Sequence, residues 1–60
     1  EKFINNINNK TAVIINRMAS GQCEKTMGLT LVIYKYEGDV YEYPFVMEHR
    51  EFYNKHSRVV

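Results

Sequence analysis

A chain of 60 residues has room for one domain, 1–60, and a globule of this size buries only about 60% of the surface its unfolded chain exposes, so its stability margin is thin. Eight basic and seven acidic side chains, interspersed, leave a formal net charge of +1, which excludes a dominant basic patch or an acidic tail. One cysteine, Cys23, excludes a disulfide within the chain and fits a reducing cytoplasm, and no run of eighteen apolar residues or signal-like apolar segment is present to engage a membrane.

The opening "EKFINNINNK" spaces Phe3, Ile4 and Ile7 as a helix would, but its asparagines favour turns, so a helical turn and a short edge strand are both open for residues 1–9. "KTAVIINRMAS", residues 10–20, reads as a strand from its β-branched run, with Ala12, Ile14 and Met18 on one face. Residues 20–28, "SGQCEKTMG", are polar and bounded by glycines, and read as an exposed loop.

"LTLVIYKY" begins the next strand. In "EGDV" the Gly38-Asp39 pair suits a two-residue type II′ hairpin. That turn would pair Tyr36 with Tyr41, Lys35 with Glu42, Tyr34 with Tyr43, Ile33 with Pro44 and Val32 with Phe45. Val32, Tyr34, Tyr36, Tyr41, Tyr43 and Phe45 would then share one face, with Ile33, Lys35, Glu37, Val40 and Glu42 on the other. Pro44 marks an edge or the end of regular pairing. "VMEHREFYNKH" predicts a short helix carrying Phe52, Tyr53 and His56 on one side, with Glu51 and Lys55 in the favoured i,i+4 order. "SRVV" is either a last short strand or a tail.

These elements predict an α+β fold: a small antiparallel sheet of three to four strands with a short C-terminal helix. A core this small rarely supplies more than about 3–5 kcal/mol, so disulfides, metals or subunits usually supplement it. Cys23, His49 and His56 are the candidate metal ligands, yet they lack short Cys/His spacing, and on one helix the two histidines would sit about 10.5 Å apart along the axis. Association is left, and a homodimer or higher homo-oligomer is expected.

The spacing of Gly28, Leu31, Val32 and Tyr34 in "GLTLVIY", with Phe52-Tyr53 some eighteen residues on, resembles a family of short bacterial and phage proteins, domain of unknown function 1653. The likeness covers about half of the chain and lacks the Arg-Pro dipeptide expected before the second aromatic. It implies a small, strongly curved, SH3-like sheet and brings no established activity.

Catalysis needs a nucleophile, acid or base held in a cleft, and Ser20, Cys23, His49, His56 and Ser57 follow no catalytic spacing. No enzyme activity, cofactor or metal is expected. His49, Tyr53 and His56 read as half-buried helix residues over the sheet, and Met18, Met27 and Met47 as core or interface fillers. The tyrosine row is core, self-interface or ligand site. Four buried phenols would each need a hydrogen-bond partner, which favours the row as a surface: Tyr34, Tyr36, Tyr41 and Tyr43, with Arg17 and Lys35 nearby, are the candidate binding residues. The expected function is a homo-oligomeric, cytoplasmic binding module. Its asparagine-rich, nearly neutral make-up fits a phage or mobile-element protein that inhibits a host defence factor or sequesters a small anionic ligand. The alternative is a nucleic-acid-binding regulator stacking bases on the tyrosine face.

Overall fold

The computed structural model describes residues 1–25, 27–40 and 43–59. Its elements are β1 (Lys2–Asn5), β2 (Thr11–Ser20), β3 (Thr30–Tyr36), β4 (Phe45–Glu48), α1 (His49–Lys55) and β5 (His56–Arg58). The strands form one open antiparallel sheet in the order β4-β3-β2-β1-β5, with β4 and β5 as its edges. The α+β class and the short helix near the C-terminus hold, with five strands in place of three or four.

Residues 2–5 form a strand inside the sheet, between β2 and β5, and neither a helical turn nor an edge. Asparagine chemistry makes this possible. The Asn5 Oδ1 accepts from the backbone N–H of Ile7 (2.8 Å) and Asn8 (3.3 Å), and Asn8 Oδ1 accepts from Lys10 N–H (2.9 Å). Asn9 takes φ +60°, a left-handed conformation that asparagine tolerates, and the chain reverses into β2.

Against β3, β2 runs from Ile14↔Tyr34 to Asn16↔Ile33 to Ala19↔Leu31, gaining one extra residue at each of two irregularities. Such bulges bend a strand and break its alternation. Met18, expected on the face of Ala12 and Ile14, is consequently 75% exposed.

The β3–β4 register differs from the predicted hairpin. Tyr34 pairs with Phe45, Ile33 with Val46, Val32 with Met47 and Leu31 with Glu48, displaced by two residues along the second strand. The turn lies one residue earlier than expected: Asp39 N–H donates to Tyr36 C=O (3.4 Å), which puts Gly38, at φ +82°, in the third turn position where positive φ is required. The connection runs to Pro44, so no two-residue hairpin forms. Tyr41 and Glu42, and with them the predicted Tyr36–Tyr41 and Lys35–Glu42 pairs, lie outside the described residues. Because the shift is even, the paired residues of β3 and β4 keep their predicted faces.

The core is Phe3, Ala12, Val32, Tyr34 and Phe52, with Ile14, Tyr36 and Met47 packed around it. It is closed by α1, whose Phe52 is fully buried with ring centroids 5.4 Å from Phe3 and 4.9 Å from Tyr34. The helix starts where the Glu48 carboxylate accepts from Arg50 N–H (3.0 Å) and Glu51 N–H (3.4 Å), and ends where His56 turns to extended backbone and begins β5. The expected Lys55–Glu51 contact is present at 2.8 Å.

Candidate functional site

Tyr34 and Tyr36 do share a face with Val32 and Phe45, as alternation predicts, and that face is the packed one. Tyr34 is 4% exposed, its ring 5.7 Å from Phe45 and 5.5 Å from Tyr36. Burial first, and then the neighbouring Tyr36 phenol, push the Tyr34 hydroxyl up to about 12.

Tyr36 solves the problem of a partly buried phenol through a chain of hydrogen bonds whose direction is fixed. Asn5 Oδ1 is committed to two backbone N–H groups, so its amide Nδ2 faces Tyr36 and donates to the hydroxyl (2.8 Å). At the other end, His56 Nδ1 lies 2.9 Å from the Phe52 carbonyl, which can only accept, so Nδ1 carries the proton. Nε2 is then the acceptor, and Tyr36 donates to it over 2.9 Å. The His56 ring, 4% exposed, stacks on Phe52 with centroids 4.0 Å apart at 12°. His56 was expected as a half-buried helix residue; it is instead a buried strand residue. Tyr53 stays on the helix, partly exposed, and His49 Nδ1 sits 3.2 Å from Thr30 C=O and 2.7 Å from Glu48 Oε2.

The six candidate binding residues are therefore not one surface. Tyr34 is core and Tyr36 is a half-buried structural donor. Tyr41 lies outside the described residues. Tyr43 is 79% exposed. Lys35 projects from the face opposite Tyr34 and Tyr36, beside Val13 in register, and Arg17 is ion-paired with Glu1 on β2. Tyr36, Tyr43 and Lys35 do meet at a small recess with Asp39 and Phe45 that encloses about 10 Å³, room for one water. Above it Lys10 Nζ is 3.2 Å from Asp39 Oδ1 and 5.9 Å from the Tyr36 ring centre. A wider groove of about 610 Å³, open to solvent, runs between Gly28–Thr30 and the start of α1, lined by Glu48, His49, Arg50 and Glu51.

The sheet's other face was not singled out from the sequence. Register places Leu31, Ile33 and Val46 there, together with Val13 and Ile4, and α1 lies on the opposite side. Val46 is 56% exposed and the bulge residue Ile15 is exposed as well. Lys2 and Lys35 stand either side of Val13 in register, with Lys2 and Glu37 ion-paired at 2.6 Å, while the Glu48 carboxylate turns to the start of α1. The alternation that assigned Ile33 and Lys35 to this face was the signal that could have found it.

Comparison with protein-family models, curated proteins and solved structures finds no match to this chain. Among the described residues no three His, Cys, Asp or Glu side chains converge as a metal site would require, and no helix is long and apolar enough to cross a membrane.

Proposed function

We propose that this chain is a non-enzymatic, homo-oligomeric binding module that grips and blocks a protein partner, a host factor in the case of a phage or mobile-element protein. The observation that carries this reading is the pair of large side chains left in solvent on the β3–β4 connection: Val40 and Tyr43 are among the most exposed apolar residues, beside Lys35 and the Lys10–Asp39 pair. An exposed aromatic with charged neighbours on a connection suits macromolecular contact. A small anion is served less well, because the recess beside Tyr43 holds about 10 Å³ and the wider groove carries two carboxylates, Glu48 and Glu51. His56 and Tyr36 are engaged in structural hydrogen bonds, which also argues against acid–base chemistry by them.

The test is a pull-down with the tagged chain from extract of the organism that encodes it, with the denatured eluate assayed for protein, nucleotide and nucleic acid. One protein is expected, retained at high salt and lost with Tyr43→Ala. A heat-released nucleotide, or nucleic acid whose binding falls steeply with added salt, would overturn the reading.

A further inference from the structure

The recess on the β3–β4 connection holds a polar atom whose needs are unmet. Lys10 Nζ stands 3.2 Å from Asp39 Oδ1, whereas Oδ2 of the same carboxylate is buried and meets no hydrogen-bond partner among the described residues. A buried acceptor left unpaired is costly, so it marks a place where a donor belongs. The space beside it encloses about 10 Å³ and is lined by Tyr36, Tyr43, Phe45 and Lys35. The Tyr36 hydroxyl is engaged inside the protein by Asn5 and His56, which leaves its ring rather than its phenol to the recess. A carboxylate only accepts, and aromatic rings attract positive charge, so together they select a donor that is also a cation.

We infer that this recess receives the ammonium group of a lysine side chain carried by the protein partner. The inference rests on the partner-binding reading above and gives that contact its chemistry. Lys10 already sets an ammonium against this carboxylate, 5.9 Å from the centre of the Tyr36 ring, while its side chain stays 47% exposed. It acts as a tethered competitor, held through one oxygen and able to swing into solvent when a second ammonium reaches the carboxylate. That exchange replaces one positive charge with another, and Lys35 projects from the opposite face of β3, so the local charge balance is kept. Size agrees: the enclosed space is about that of one water, which suits a primary ammonium better than a planar guanidinium. Tyr43, 79% exposed, offers apolar surface to the methylene stem of the incoming lysine.

Proton–nitrogen correlation NMR tests this by titrating Nα-acetyl-lysine amide, with Nα-acetyl-norleucine amide as the uncharged control, into the wild type, Lys10→Met, Lys10→Gln and Asp39→Asn. The lysine amide alone is expected to shift the Tyr36, Asp39 and Tyr43 N–H signals. Lys10→Met and Lys10→Gln, freed of the competitor, are expected to bind it at least about fivefold tighter, and Asp39→Asn at least about tenfold weaker. An exposed ion pair contributes little to stability, so these variants keep the fold, which the dispersion of the same spectra reports. Binding no tighter in the Lys10 variants, binding undiminished in Asp39→Asn, equal shifts with the norleucine amide, or no shifts in any variant would overturn the inference. In the pull-down, a partner lost with Tyr43→Ala but retained by Asp39→Asn ends this inference alone. Lysine amide bound as expected, with no protein retained, ends only the partner-binding reading.

Discussion

Two tyrosines two residues apart on β3 do different work. Tyr36 gives its hydroxyl proton to His56 and accepts from Asn5, so Tyr36→Phe leaves the buried Nε2 of His56 with no donor. An unsatisfied buried acceptor costs about 1–3 kcal/mol, a large part of what so small a core provides, and the midpoint of denaturant unfolding should fall accordingly. An unchanged midpoint would show that the chain of hydrogen bonds contributes nothing. Tyr34 is governed by burial instead. Its folded value of about 12 stands above the ordinary 10.0, so the protonated phenol stabilises the fold fully below pH 10. That stability is lost as pH rises from about 10 towards 12, because the unfolded chain ionises first. Unfolding followed by tyrosinate absorbance should show the alkaline slope, and Tyr34→Phe should reduce it. That Tyr34 and Tyr36 share a face was legible. Which face is buried was not, because Val13, Ile33 and Val46 make the opposite face apolar too. The His56 role was hidden because a histidine four residues after Phe52 fits a helix equally well.

At the scale of elements, β2, β3 and α1 were readable because each carries enough apolar residues to express its period. β1 and β5 were not, since four and three residues hold too little pattern, and β5 ("HSR") has no aliphatic side chain. Register was lost for a local reason: Gly38 takes the third turn position rather than the second, and alternation alone cannot distinguish registers that differ by two. The start of α1 was equally obscure, because Glu48 caps it in place of the usual serine, threonine, aspartate or asparagine. The Arg50 backbone N–H, with Glu51 N–H and the neighbouring His49 and Arg50 charges, holds the Glu48 carboxyl below its ordinary 4.5 against the opposing effect of burial. A lowered value means that the cap stabilises above the ordinary carboxylate range and is lost as pH falls through the folded value. Far-UV circular dichroism should show helix signal declining on that acid limb, and Glu48→Gln should flatten it. A limb unchanged in Glu48→Gln would assign the loss elsewhere.

For the whole molecule, the sequence pointed to a core too small to stand comfortably alone, and the structure locates both the core and what it leaves uncovered. Among the described residues five apolar side chains and His56 are buried on one side of the sheet, while Val46 on the other is 56% exposed. Of the tyrosines expected to meet the partner, Tyr34 is spent inside, Tyr36 is half-buried and Tyr43 stays in solvent.

The β1–β5 ladder, which joins Phe3 to Arg58 and Asn5 to His56, closes the longest loop in the chain. Loop closure of that length is entropically slow to be rewarded, so the locally connected β2–β3 pairing has every reason to precede it. His56 rides on the arriving strand, and its bond to Tyr36 forms only when that strand docks. The polar chain thus behaves as a latch: it does little to speed assembly and much to delay opening. In Tyr36→Phe the loss should consequently fall on the unfolding rate, with the folding rate nearly unchanged in stopped-flow measurements.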